Sequence, residues 1–214
     1  MFIKVCGLRE EENIAQIVKV KPDALGFIFY PKSKRYAKPE QLVDALIDIP
    51  DSIKKVGVFV NESTAEMISI ATKLHLQAIQ LHGDEDILVC KELKSNGFEV
   101  WKAIGIGGKP EWKSLEPYLP FVDAFLFDTA SQSRGGTGQP FDHEVLRDYP
   151  FEKPFLLSGG IGPDFRSLPD FFDRLPFLGL DLNSRFEIEP GIKNPDQIST
   201  FLEFWKNKTH AGKN

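Results

Sequence analysis

Short apolar runs punctuate the chain at regular intervals, and the stretches between them carry a different rhythm. Eight runs are rich in β-branched, aromatic and other apolar residues: Phe2–Val5, Ala24–Phe29, Val56–Val60, Ala78–Leu81, Val100–Ile104, Ala124–Phe127, Phe155–Leu157 and Leu178–Leu182. Their starts lie about 22–32 residues apart, the length of one strand–helix unit. Several are continuously apolar rather than alternating, the pattern of parallel strands covered on both faces.

Between these runs the apolar spacing shifts to that of helices. REEENIAQIVKV opens with acidic residues and sets Ile14, Ile17 and Val18 on one face. KPEQLVDALI places Pro39 at a first helical position, with Leu42, Ala45 and Leu46 behind it. NESTAEMISIATKL offers Asn61 or Ser63 as its cap, and DEDILVCKELKSNG stops at Asn96–Gly97. PDQISTFLEFW repeats Ile198, Phe201, Leu202 and Trp205 at helical spacing. Helices are expected near Glu111 and Asp164, with Pro169 interrupting the latter. Eight such units with no Pro-, Gly- or Ser-rich linker predict an α/β fold: a single (β/α)8 TIM barrel of parallel strands with its active site on the C-terminal face. An open doubly wound sheet is the alternative. The barrel is expected over residues 1–206, followed by a polar tail, 207–214.

Composition narrows the function classes. The 214-residue chain is 42% hydrophobic and 27% charged, an ordinary globular balance, and long enough to bury a sizeable core. Its net charge of −5 and its lack of a long Lys/Arg cluster argue against nucleic acid as a partner. No apolar run reaches the length of a membrane span, and the first residues read as a strand rather than a signal peptide. Two cysteines, Cys6 and Cys90, without a CxxC pair, argue against a disulfide framework or a thiolate metal site. Only His82 of the four histidines falls at a strand end, so no metal is expected. The expected compartment is the reducing cytoplasm, the expected partner a small molecule, and the expected assembly a monomer or homodimer.

In such a barrel the chemistry collects at the C-terminal strand ends. Those ends hold Cys6-Gly7, Phe29-Tyr30, Asn61, His82-Gly83, Gly105, Asp128-Thr129, Ser158-Gly159-Gly160 and Asp181–Ser184. Side chains alternate along a strand, so Phe2, Lys4 and Cys6 share one face. If Cys6 points into the barrel, Lys4 does too; if Ile104 faces inward, so does Lys102. Buried ammonium groups need partners, and Asp128 and Asp181 are the candidates. Burial raises a thiol's pKa and a nearby cation lowers it. Lys4 is therefore expected to keep the Cys6 proton mobile, so that the thiolate acts as a general base. The competing reading makes Cys6 a small, inert core residue. Cys90, on a helix stripe with Ile87 and Leu93, reads as core. Asp128 closes the apolar run AFLFD beside a glycine-rich loop and reads either as an acid or as a loop cap.

The glycine segments suit a phosphate. LSGGIGPDF follows the seventh strand: Gly159 and Gly160 permit close backbone approach, and a helix is expected to start near Pro163. LDLNSRFE follows the eighth, where a short extra helix often begins. Loops at these two positions commonly bind phosphate through backbone N–H groups. RGGTGQPFD after the sixth strand adds a third glycine loop. FYPKSKRY after the second is cationic; Lys32 and Lys34 suit a solvated loop, whereas Arg35 can clamp a carboxylate by two parallel hydrogen bonds. His82 reads as a hydrogen-bonded rim residue.

The stretches KVCG, DALGFIFYPKSKRY, VGVFVN, IQLHGDE, KAIG, FDT with GGTGQPFD, LSGGIGPDF and PGIKN run from Lys4 to about Asn194. In that order they resemble the phosphoribosylanthranilate isomerases of tryptophan biosynthesis. The resemblance implies a single barrel without cofactor or metal. It implies conversion of N-(5-phosphoribosyl)anthranilate to 1-(2-carboxyphenylamino)-1-deoxyribulose 5-phosphate by an acid/base-catalysed Amadori rearrangement. Carried over by motif, Cys6 is the general base, Asp128 the general acid, and Arg35 the holder of the anthranilate carboxylate. His82 joins the substrate site, and Gly159, Gly160, Asn183 and Ser184 hold the phosphate. One departure concerns the run after the strand-eight aspartate. The family commonly has small-small-glycine there; this chain has Asn183, Ser184, Arg185. Arg185 must strain the loop, redraw it, or add its guanidinium to the phosphate site. Two other functions compete. One is the related aminoaldose-phosphate isomerase of histidine biosynthesis, against which Cys6 and Arg35 argue. The other is a non-catalytic phosphosugar-binding module, which needs neither Cys6 nor Asp128.

Overall fold

The first and last strands decide the architecture. In a computed structural model, which describes residues 1–129 and 142–211, β1 (Phe2–Cys6) pairs in parallel with both β2 (Ala24–Ile28) and β8 (Phe177–Leu182). That seam closes the sheet. β3 (Lys54–Phe59), β4 (Ala78–Leu81), β5 (Glu99–Ile106), β6 (Ala124–Thr129) and β7 (Phe155–Leu157) complete a closed, all-parallel barrel in chain order. The β1–β8 ladder rules out the open sheet. Residues 134–141 of the glycine loop predicted after the sixth strand lie outside the described residues.

The outer layer is uneven. α1 (Glu11–Val20), α2 (Pro39–Ile47), α3 (Thr64–Lys73) and α4 (Ile87–Ser95) cover the first half, and α5 (Pro195–Ala211) follows the last strand. Ile14 and Ile17 bury one face of α1, and Pro39 opens α2. Ser63 rather than Asn61 caps α3, its hydroxyl accepting the Glu66 N–H at 3.2 Å. Asp86 caps α4 by accepting from Leu88 and Val89 at 2.9 and 3.1 Å, and Gly97 at φ 87° ends it. From β5 to β8 the described connections are 3₁₀ turns: Trp112–Tyr118, His143–Leu146 and Asp170–Arg174. The helix expected near Pro163 does not form. Pro163 and Pro169 each lack an amide donor and push the preceding residue toward extended backbone, so helical turns begin only at Asp170.

Two cores flank the sheet. Ala24, Val56, Ala78, Trp101, Leu126 and Leu156 fill the barrel below the strand mouths. A larger shell between strands and helices carries most of the phenylalanines, with the Phe127 and Phe155 rings 5.1 Å apart. Trp101 and Ala103 belong to the inner set, so Lys102 and Ile104 share the outward face and the condition for an inward Lys102 is not met. Lys102 donates to the Gly83 carbonyl at 2.7 Å and meets Glu85 at 3.2 Å; neither Asp128 nor Asp181 is its partner. A strand covered on both faces offers no alternation from which to read parity.

Candidate active site

Cys6 ends β1 with its side chain inside the barrel, in a space that Gly26 of β2 leaves open. A Cβ on Gly26 would lie 2.8 Å from the Cys6 sulfur and 3.0 Å from Lys4 Cε. Lys4 is fully buried, and its Nζ donates to Asp181 Oδ1 at 2.9 Å. The two residues are direct partners in the β1–β8 register. Burial draws the Lys4 ammonium down, but Asp181 and then Cys6 outweigh it and hold its pKa above the ordinary value. Burial pushes the Cys6 thiol up; Lys4, and more weakly Lys193, pull it back without reversing the shift. The resting sulfur is therefore a thiol with a permanent cation at its side.

Asp128 stands at the mouth of β6. Its Oδ1 accepts the Thr129 N–H at 2.8 Å, and its Oδ2 lies 3.5 Å from His82 Nε2 at the end of β4. The other ring nitrogen of His82, Nδ1, is 3.0 Å from the Gln80 amide nitrogen. Behind β7, Gly159 and Gly160 adopt φ of +83° and +69°, the left-handed region that favours glycine. A Cβ on Gly159 would lie 2.7 Å from Thr129 N and 2.8 Å from Asp128 Oδ1. The loop thus passes directly against the carboxyl, which a side chain at this position would block.

Arg35 reaches over Gly7, and its guanidinium already holds a carboxylate of this chain. Nε and Nη2 donate to the two oxygens of Glu187, each at 2.7 Å. Glu187 begins the hairpin of β9 (Glu187–Glu189) and β10 (Ile192–Lys193). Lys193, fully buried, donates to Glu187 Oε1 and to Asn183 Oδ1, both at 2.7 Å. Burial works to raise the Glu187 carboxyl, but Arg35 and Lys193 together hold it below the usual range. Ser184 opens the short turn Ser184–Phe186, the extra helical turn expected after the eighth strand. Arg185, in that turn, has no positive φ, and its guanidinium lies 3.8 Å from Asp164 and against Gly162. The loop is accommodated without left-handed strain at Arg185.

Cys6, Arg35, His82, Asp128, Gly159, Gly160, Asn183 and Ser184 all line one cavity of about 330 Å³ at the C-terminal face. The sequence reading missed Glu187, Lys193 and Gln80. Lys193 sits in PGIKN and Gln80 in IQLHGDE, so both lay inside noted stretches; only their burial marks them out. Among the described residues no group of three His, Cys, Asp or Glu is placed to hold a metal, and no helix is long and apolar enough to cross a membrane.

A thiol, an imidazole and a carboxyl that line one cavity on the C-terminal face of a closed parallel barrel place this chain among the (β/α)8 enzymes. Residues 3–204 match the N-(5'-phosphoribosyl)anthranilate (PRA) isomerase family, and the chain belongs to it. It is 41% identical over 204 residues to the N-(5'-phosphoribosyl)anthranilate isomerase of Parabacteroides distasonis, covering 95% of this chain and 92% of that one. The crystal structure of phosphoribosyl anthranilate isomerase from Thermotoga maritima superposes with a TM-score of 0.81 at 33% identity, over 97% of this chain and 99% of the other. A phosphoribosyl anthranilate isomerase in complex with reduced 1-(o-carboxyphenylamino)-1-deoxyribulose 5-phosphate also superposes with a TM-score of 0.81, at 31% identity and the same coverage.

Proposed function

We propose that this chain converts N-(5'-phosphoribosyl)anthranilate to 1-(2-carboxyphenylamino)-1-deoxyribulose 5-phosphate in tryptophan biosynthesis, with Asp128 as general acid and Cys6 as general base. The observation that carries the reading is the meeting of a lysine-flanked thiol, a carboxyl and the Gly159–Gly160 loop in one cavity. Asp128 protonates the ribose ring oxygen, the ring opens, and a cationic imine forms at the anomeric carbon. That cation acidifies the neighbouring C–H, and Cys6, having first released its own proton to solvent, removes the C–H proton as the thiolate. The resulting enolamine takes that proton back from the sulfur at its anomeric carbon and releases its hydroxyl proton to solvent, giving the ketone. Lys4 and Lys193 support the thiolate, and the imine adds a third positive charge as it develops. Gly159, Gly160, Asn183 and Ser184 take the phosphate. Arg35, held from one side by Glu187, turns its Nη1 edge to the anthranilate carboxylate. Anchors for both anionic groups hold the reacting carbon between acid and base.

Loss of substrate fluorescence with purified protein tests this reading. Wild type turns over. Cys6→Ser and Asp128→Asn each lose about 10²–10⁴-fold in kcat while still binding a product analogue, and Arg35→Ala chiefly raises KM. Near-normal turnover by Cys6→Ser rejects the base; an inert wild type that still binds the analogue leaves a binding module.

A further inference from the structure

Gln80 has no part in that scheme, yet it is a polar side chain deep in the barrel. It is 1% exposed, sits on β4 between Val58 and Trp101 in register, and lines the cavity. Its amide nitrogen faces His82 Nδ1 at 3.0 Å. Its amide oxygen, Oε1, is buried without a hydrogen-bond partner. Leaving a buried polar atom unpaired costs about 1–3 kcal/mol, so such an atom calls for an explanation.

The Gln80–His82 contact couples the position of the ring proton to the way the amide faces. An amide NH₂ only donates, so Nδ1 accepts, and a neutral imidazole must then carry its proton on Nε2. Nε2 is the atom 3.5 Å from Asp128 Oδ2. When His82 gains a second proton, Nδ1 becomes a donor and needs an acceptor. Half a turn of the Gln80 amide presents Oε1 in place of its nitrogen. The unpaired oxygen is the acceptor that the imidazolium requires.

We propose that Gln80 is a positioning residue for proton delivery: its amide orients His82, and the His82 imidazolium recharges Asp128. This rests on the reading of Asp128 as the acid. In the step, the Nε2–H bond breaks and an O–H bond forms at Asp128 Oδ2. A neutral imidazole remains, its proton on Nδ1 held by Oε1, together with a neutral carboxyl. Asp128 gives that proton to the ring oxygen. His82 regains a proton from solvent, balanced by the one the enolamine hydroxyl releases on becoming a ketone. Charged groups that share the cavity with the pair include Asp181, tied to Lys4, Asp84, and Arg35, tied to Glu187.

Two substitutions of equal length separate proton delivery from packing. Gln80→Met fills the core without an acceptor; Gln80→Glu keeps an acceptor but buries a carboxyl. Proton delivery predicts that Gln80→Met lowers kcat about tenfold with KM within about twofold, and that Gln80→Glu is the faster of the two. A packing role predicts the reverse order, which overturns the proposal. Because Gln80 acts through His82, Gln80→Met/His82→Gln is no slower than His82→Gln alone; losses that multiply overturn it. Should Gln80→Glu not fold, this cycle and ¹⁵N-histidine NMR of the wild type decide. The neutral His82 ring is expected to carry its proton on Nε2, and a proton on Nδ1 overturns the proposal. Asp128→Asn runs in the same assay. If it stays active, the acid assignment itself fails; if it is inactive and the Gln80 results are negative, only this proposal fails.

Discussion

Lys4 and Lys102 are the same residue type on two strands of one barrel, both buried and both facing a carboxylate. Lys4 points inward, in register with Asp181 and beside the Cys6 thiol, so its charge has a chemical consequence. Lys102 points outward and ties Gly83 to Glu85, so its charge has a structural one. Glu85 in turn accepts the backbone N–H groups of Asn61 at 2.8 Å and Gly83 at 2.9 Å, which fixes the loops after β3 and β4. One step of strand parity separates a cation beside a cavity-lining thiol from a clasp for two loops. Burial and pairing alone therefore do not say what an interior lysine is for; the side of the sheet does.

The largest effect that can break this comparison belongs to Lys4→Met. It is expected to lower kcat about hundredfold, because the proposed base Cys6 loses its nearest cation. It also destabilises the fold by about 3–5 kcal/mol in urea unfolding, since Asp181 is left buried and unpaired. Lys102→Met is expected to lose a similar 3–5 kcal/mol through Glu85, while the folded enzyme keeps a far higher kcat than Lys4→Met. Equal losses of kcat in the two variants would erase the distinction. Alkylation sharpens it on the pH axis. Only the thiolate reacts, and burial holds the Cys6 thiol above its ordinary value. Iodoacetamide should label Cys6 with a midpoint above that of an ordinary thiol, and higher still in Lys4→Met; an unmoved midpoint removes Lys4 from the base. Cys90, fully buried and pushed up to about 11 by burial, lies outside the active-site cavity and reacts more slowly. The smallest effect is a control. The Arg147–Glu144 pair is 56% and 53% exposed, so Glu144→Gln should shift unfolding by less than about 0.5 kcal/mol.

The strands and their closure were legible because a fully covered strand is a plain apolar run and eight of them recur at one period. Most of the candidate site residues were legible because they lie at strand ends or in glycine loops, whereas Arg35 stood out only in the cationic FYPKSKRY loop. The same feature hid the orientation of Lys102: with Trp101 and Ile104 both apolar, nothing in the run says which neighbour faces the axis. Glu187 and Lys193 were missed because their partners, Arg35 and Asn183, reach them only through a folded hairpin. Gln80 was missed because one polar residue inside AIQL gives no sign of which atom lacks a partner. The segment after β7 misled because the LSGGIGPDF glycines suggested a helix start that two prolines prevent.

Lys4 leaves the ribosome long before Asp181, its partner 177 positions later in the chain. The wall that holds the sulfur cannot be finished until the eighth strand arrives to take its place beside the first, the kind of distant pairing that slows assembly. Synthesis that halts before that point leaves the nascent polypeptide without its seam and the thiol without its counter-ion's anchor. Closure of the barrel and onset of its chemistry are in this sense one event, set at the joint between the first strand and the eighth.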